Sequence, residues 1–397
     1  MSSDILIRAA TDADVDGIVA LVEDRIGVED APEARLVLED PTFDRDRWSV
    51  AIDGGEVVST MATFPMSLHF GSGRVPGAQI EFVATSAPYE GRGLVRRQFE
   101  YHHADLARRG ELFQMIVGIT YFYRRLGYEY ALPIADRRTI EADEFPPTPT
   151  GWAVRTATPQ DIDTLMRVQA GLQRAVDISV GFTPELWGYV LRSPVYRTVI
   201  AERDGTAQAC GRLYLDDNDP YVLDLAGSSR AGVAAVLAAL ADAQPKRTLT
   251  LLDRVATRPY VAELGTTERS SDAYYARISD PVAFLNAVRP ELERRLAGSP
   301  VAASSGSGLL SLYAASIRFE YAAGKLSEFT WHAGEHAPIS KGGSGVAPDR
   351  FTSMLVGPLG FAGLAERYPD VNGGKQTGLM EALFPPQVSD VQSWVVP

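Results

Sequence analysis

The sequence predicts an α+β protein in three parts: two tandem copies of one strand-and-helix unit, then a smaller α+β segment. Three observations predict it. β-rich runs alternate with helical runs as far as Asp280. The opening pattern recurs in constant register. Ile7-Arg8-Ala9-Ala10-Thr11 before Asp14-Val15-Asp16 has its counterpart in Val154-Arg155-Thr156-Ala157-Thr158 before Asp161-Ile162-Asp163. After Asp280 the pattern changes to an amphipathic helix, an antiparallel meander and short helical pieces. Pro146-Pro147-Thr148-Pro149-Thr150-Gly151 reads as a linker, so the expected parts are 1–147, 148–283 and 284–397.

The elements follow from local signals. Residues 5–9 read as a strand, and Thr11 as the cap of a helix whose first turn carries Asp12, Asp14 and Asp16. Val15, Ile18, Val19 and Val22 give that helix its apolar face. The polar stretch 30–47, with Pro41, reads as a loop or short helix over the site. Asp53-Gly54-Gly55 joins two β-rich runs as a hairpin turn, and the sheet continues through 66–70 and 75–85. A helix is expected over 94–109, ended by Gly110, then a buried strand at 112–117 and a short helix at 121–126 ended by Gly127. The second copy repeats this order through strands at 198–200, 209–215 and 221–225 and a helix at 231–243. Its turn, Ala226-Gly227-Ser228-Ser229-Arg230-Ala231-Gly232, lacks the glycine spacing of the first. In the last part a helix is expected over 284–296, a meander of strands at 309–316, 317–321 and 326–331, and helices over 348–356 and 361–368. The chain end, with Trp394, Val395 and Val396, is expected to be docked.

Composition bounds the function. With 397 residues, 45% apolar and 22% charged, the chain reads as an ordinary soluble globular protein with ample core. No apolar run is long enough to cross a bilayer, and Met1-Ser2-Ser3-Asp4 lacks the features of a signal peptide. One cysteine, Cys210, rules out an intrachain disulfide, and the expected compartment is the cytoplasm. A net charge of −13 argues against general nucleic-acid binding, which needs a basic surface, and leans toward a cationic partner.

The most chemically pointed stretch is 81–98. A β-rich run ends near Thr85, a turn with Gly91 and Gly93 follows, and a helix begins at Leu94. The first N–H groups of a helix have no partner within it, and the helix dipole adds partial positive charge. Glycine lets the main chain approach a phosphate, and Arg92, Arg96 and Arg97 add cations. The bland alternative is a strand-to-helix loop with solvated arginines. His102-His103 in the following helix read as surface and core residues. His332 and His336 have helical metal-ligand spacing, but Gly334 and the strand pattern oppose a helix, so no metal site is expected. Cys210 reads as a small buried hydrophobe.

On these residues the first part resembles the GCN5-related N-acetyltransferase (GNAT) fold. The strand 82–85 leads into Gly91-Arg92-Gly93-Leu94, close to that family's pyrophosphate loop. Phe122-Tyr123-Arg124-Arg125-Leu126-Gly127-Tyr128 looks like its second signature. Over essentially the whole chain, the tandem layout with a third part like a sterol-carrier-protein (SCP2-like) fold is similar to the enhanced intracellular survival (Eis) acetyltransferases. Glu90 departs from the pattern, since the family usually has Arg or Gln there, and Val95 stands where many members have a small residue.

The resemblance implies acetyl transfer from acetyl-coenzyme A to an amine, with no metal. It implies that the strand Val83-Ala84-Thr85 grips the pantetheine arm and polarises the thioester through the N–H groups of Val83 and Thr85. Gly91, Arg92, Gly93, Leu94 and Val95 would hold the pyrophosphate. Tyr123 matches the general acid, and the carboxylate of Pro397 would accept the amine proton. Phe82, Trp48 and other residues of the 30–48 segment would wall an acceptor pocket between the first and third parts. An acidic, aromatic pocket suits a polycation such as an aminoglycoside or polyamine. Homo-oligomers, hexamers among them, are implied too. Two alternatives stand beside this reading: a non-catalytic ligand-binding protein, which Glu90 favours, and an acetyltransferase acting on peptide or protein lysine.

Overall fold

The computed structural model describes residues 5–215, 220–243, 248–334 and 342–392. The first copy comprises β1 (Leu6–Ala9), α1 (Val15–Arg25), α2 (Ala31–Glu39), β2 (Trp48–Asp53), β3 (Glu56–Phe70), β4 (Gly73–Thr85), α3 (Leu94–Arg108), β5 (Phe113–Ile116) and β6 (Glu129–Pro133). Next come β7 (Asp136–Ile140), β8 (Trp152–Thr156), α4 (Ile162–Gln173), β9 (Ile178–Phe182), α5 (Pro184–Arg192), β10 (Tyr196–Arg203) and β11 (Thr206–Tyr214). They are followed by β12 (Tyr221–Gly227), α6 (Arg230–Asp242), β13 (Leu249–Asp253), α7 (Arg258–Val261), β14 (Thr266–Glu268) and β15 (Ala273–Ile278). The remainder holds α8 (Pro281–Ala287), α9 (Arg289–Ala297), β16 (Ser305–Ser311), β17 (Ala315–Ala322), β18 (Lys325–Leu326), β19 (Thr330–Ala333) and β20 (Ser344–Gly345). It closes with α10 (Phe351–Val356), α11 (Gly360–Ala365), α12 (Thr377–Leu383) and β21 (Ser389–Val391).

The sequence repeat is a structural latch, present twice. Arg8 holds Asp14 with hydrogen bonds of 2.6 and 2.9 Å, and Asp14 accepts from the Thr11 N–H at 2.7 Å and its hydroxyl at 2.6 Å. Arg155, Asp161 and Thr158 repeat all four bonds, at 2.8, 2.7, 2.9 and 2.9 Å. In each copy the carboxylate reaches back to the residue that starts the turn, a capping box that launches α1 or α4.

The sheets carry the repeat further. The first runs β1-β2-β3-β4-β5-β15-β6, and the second β8-β10-β11-β12-β13-β7-β14. The pair β4/β5 is parallel, and so is β12/β13. The sixth place in each sheet is taken by a strand of the other copy. β7 follows the first copy yet pairs with β13, while β15 closes the second copy yet lies between β5 and β6. β9 pairs with the long strand β3, and β21 adds to β9. The third sheet is β18-β17-β16-β20, with β19 on β17. One core joins all three parts, with Trp48, Phe64, Trp187, Phe284 and Phe361 among its residues.

The hairpin at Asp53-Gly54-Gly55 forms as expected, with φ of +59° and +95° at its two glycines. The polar stretch 30–47 contains a short helix, α2, as one of its two readings expected, and Ala31, Ala34, Val37 and Leu38 are buried. Two expectations change. The helix expected over 284–296 is two helices, because Pro290 supplies no N–H to a continuous ladder and sits in the first turn of α9. The meander turns at 312–314, not at 317, so β17 begins earlier.

The chain end is held at the junction of the copies. Fully buried Arg254 donates to Asp224 at 2.6 Å and pairs with Asp390 of β21, while Arg212 donates to Asp224 at 2.7 Å. Gln173 adds a bond to Asp390 at 2.9 Å, and the Gln392 side chain accepts from the Phe182 N–H at 3.0 Å. The tail is therefore docked through Gln392. Pro397 lies outside the described residues.

Candidate active site

The site begins with a bulge in β4. Thr60 faces Ala84 and Ala62 faces Glu81, so Phe82 and Val83 together oppose Met61 alone. Phe82 takes a φ of +52°, a left-handed conformation uncommon for a large side chain. On its other edge β4 pairs with β5 only from Gly77 to Gln79, and beyond that the strands part. The Ser86 N–H bonds to the Val58 carbonyl on β3 at 2.9 Å. Alternation along the strand then turns the N–H groups of Val83 and Thr85 toward the opening, and Ala84 back to β3. Ser59 fixes this strand end, with its hydroxyl 2.8 Å from the Ala84 carbonyl, the Thr85 hydroxyl and the Gln98 amide oxygen of α3.

The glycine turn completes the opening. Gly91 and Gly93 have φ of +73° and +77°, and no atom lies within 4 Å of where a Cβ would stand on either. The first helical bond of α3 runs from the Arg97 N–H to the Gly93 carbonyl, leaving the N–H groups of Leu94, Val95 and Arg96 unused by the helix. The Leu94 side chain packs inward against Ala51 and Val58, and Val95 against the cluster around Phe99 and Tyr123. These two residues offer main-chain donors only. Val83, Thr85, Gly91, Gly93 and Tyr123 all line one cleft of about 550 Å³. Gly93→Ala should weaken coenzyme A binding at least about tenfold in calorimetry. Its Cβ costs about 1–2 kcal/mol of left-handed strain and enters the space a phosphate would use.

The cations are arranged differently from the expectation. Arg92 lies over the Tyr89 ring at 4.6 Å, and the Tyr89 hydroxyl donates to Asp53 at 2.9 Å. Arg97 turns away and donates to the Ile5 carbonyl at 2.8 Å. Arg96 lines the cleft, as do Arg25 and Arg125, which the sequence reading missed. Arg25 forms an ion pair with Glu90. The carboxylate that departs from the family pattern thus comes with its own counter-charge.

Tyr123 sits in the turn after β5, 4% exposed, edge-on to Phe122 and Tyr275 and tilted on Phe99. Burial, then the nearby Glu81 charge and Tyr275, push its pKa up, so it stays protonated. Glu81 bonds to the Gln79 amide nitrogen. Part of its surface stays accessible while protein surrounds the carboxyl group. Burial, opposed by that bond and helped by the charges of Asp30 and Glu33, raises its pKa to about 8. Asp30 is raised to about 6 by burial and by Glu29. Trp48 is fully buried, stacked on Phe82 at 4.9 Å with its Nε1 donating to Thr60 at 2.6 Å, and Phe82 is itself buried and outside the cleft lining, so neither ring forms an open wall. Burial keeps His102 and His103 neutral, with pKa values of about 4 and about 3. His332 lies on the exposed strand β19, and His336 is outside the described residues. No helix among the described residues is long and apolar enough to cross a membrane.

Residues 6–131 match the family model of an acetyltransferase (GNAT) domain. The bulged strand and the glycine turn both fall within this acetyltransferase domain. Three solved structures show how far the whole-chain likeness reaches. A GCN5-related N-acetyltransferase from Kribbella flavida aligns with a TM-score of 0.69 and 18% identity, over 99% of this chain and 100% of that one. A probable N-acyltransferase from Enterococcus faecalis gives 0.74 and 14%, over 99% and 100%. Eis1 from Mycobacterium abscessus gives 0.63 and 18%, over 98% and 99%. At such identities the likeness is one of fold. No curated protein matches the chain.

Proposed function

We propose that the protein transfers the acetyl group of acetyl-coenzyme A to an amine of a polycationic small molecule. The observation that carries this reading is the open cleft. In it the donors of Val83 and Thr85, the glycine turn and the start of α3 converge beside Tyr123. The pyrophosphate would lie on the N–H groups from Gly91 to Arg96, with Arg25, Arg96 and Arg125 around it. The pantetheine would lie along Val83-Ala84-Thr85, where two N–H groups polarise the thioester oxygen. The neutral amine attacks the carbonyl carbon, the C–S bond breaks, the thiolate takes the Tyr123 proton, and the proton lost from the nitrogen passes through solvent in the open cleft to restore Tyr123. Much of the rate would come from holding both reactants in place.

The acidic group Glu81, Asp30 and Glu33 supports a cationic acceptor, since Glu81 feels the charge of both the others. Glu81 is mostly protonated below its value of about 8. A proton therefore competes with a bound cation. Spermine affinity should rise from pH 6.5 to 8.5, and Glu81→Gln should flatten that rise in calorimetry. The third part, a mostly antiparallel sheet together with the helices α8 to α12, supports the sterol-carrier-like reading. We further propose the three-part division given by the linker and by the change after Asp280. The deciding experiment follows thiol release from acetyl-coenzyme A with aminoglycosides, polyamines and lysine peptides. Release with none of them overturns the enzymatic reading, and release with peptides alone moves the acceptor to protein lysine.

A further inference from the structure

Tyr123 does not hold its own position. It belongs to a single turn whose preceding residue, Tyr121, has φ +70° and ψ −24°, a conformation costly for an aromatic residue. Strained backbone persists only where its surroundings impose it. Two tyrosines from neighbouring strands do so. The Tyr121 N–H donates to the Tyr130 hydroxyl of β6 at 3.0 Å. The hydroxyls of Tyr130 and Tyr275 hydrogen bond to each other, and their rings stack at 4.2 Å. The Tyr275 hydroxyl also donates to the Ile119 carbonyl at 3.3 Å, and its ring meets Tyr123 edge-on at 5.4 Å. A phenylalanine would give the same ring contacts. Both contacts of the Tyr275 hydroxyl serve the loop before Tyr123, one directly and one through Tyr130.

We infer that Tyr275, acting with Tyr130, is a positioning residue that sets Tyr123 for proton donation. The inference rests on the role given to Tyr123 above. Tyr275 lies on β15, the strand the second copy lends to the first sheet. The acid of one copy is thus aimed by the other, and the second copy, whose own turn has lost the glycine pattern, keeps a part in the reaction.

The test uses the full chain carrying Tyr275→Phe. Amide hydrogen exchange over 117–124 should become about tenfold faster, with α3 protection unchanged. Unchanged exchange over 117–124 overturns the inference, whether or not an acceptor has been found. In thiol release with spermine or neomycin, kcat should fall about tenfold while KM for acetyl-coenzyme A stays within about twofold. Added to Tyr123→Phe, the substitution should cause no further loss, because it acts through Tyr123. An equal loss in both backgrounds, or an unaltered kcat, overturns it. A wild-type protein that releases no thiol with either amine would instead sink the polycation reading, and the exchange result alone then decides this one.

Discussion

Replacing Tyr123 by phenylalanine should lower kcat about a hundredfold, or about 2.7 kcal/mol of barrier, with coenzyme A affinity unchanged. The ring keeps its contacts with Phe99, Phe122 and Tyr275, so the cleft wall survives and only the proton is lost. The sign of the pH effect follows from the environment. Burial and the Glu81 charge both raise the Tyr123 pKa, so the group remains a donor at every working pH. The wild type should show no alkaline loss of kcat between pH 7 and 9 from this residue. Calorimetry with coenzyme A and a steady-state thiol assay separate the two effects. Equal kcat in the two proteins would remove Tyr123 from the mechanism.

Asp390→Ala should be the most destabilising single change, costing about 3–5 kcal/mol. Arg212, Arg254, Asp224 and Asp390 form a buried cluster of two cations and two anions. Removing Asp390 leaves one buried positive charge uncompensated and takes two bonds from Arg254. It also frees β21 from Gln173, loosening the junction with β9. A lowered urea midpoint is the readout. Asp390→Asn, which keeps the shape and part of the hydrogen bonding, should fall between the two. A midpoint equal to wild type for the alanine variant would show that the cluster contributes nothing net.

Features encoded within a few residues were legible in the sequence. The Asp53-Gly54-Gly55 turn, the repeated pattern with Thr11 as a cap, and the Gly91-Arg92-Gly93 turn all form where they were read, while the arginine that locks each repeat was not foreseen. Their chemistry is local, so local sequence specifies it. The strand exchange was not legible. Asp136-Arg137-Arg138-Thr139-Ile140 pairs with Leu249–Asp253, and nothing in five residues names a partner so distant. The role of Arg25 was hidden for the same reason, since its partner Glu90 is close only after folding. Trp48 looked like a wall of the acceptor pocket by its proximity to an acidic segment, and folding instead places it behind Phe82. The acidic trio was blurred because Asp30 precedes, and Glu33 lies in, the first turn of a helix whose polar surface masked its buried stripe. Only Pro290, which divides α8 from α9, was a plain signal left unread.

The mutual lending of β7 and β15 has a consequence for how the chain is made. As the polypeptide leaves the ribosome, its leading sheet lacks a member until residues 273–278 have emerged, and β9 waits longer for 389–391. The nascent amino-terminal half must therefore pass most of its synthesis with an open seam between β5 and β6. Chaperone engagement, if mapped by ribosome profiling, should concentrate on that interval and cease once β15 is available.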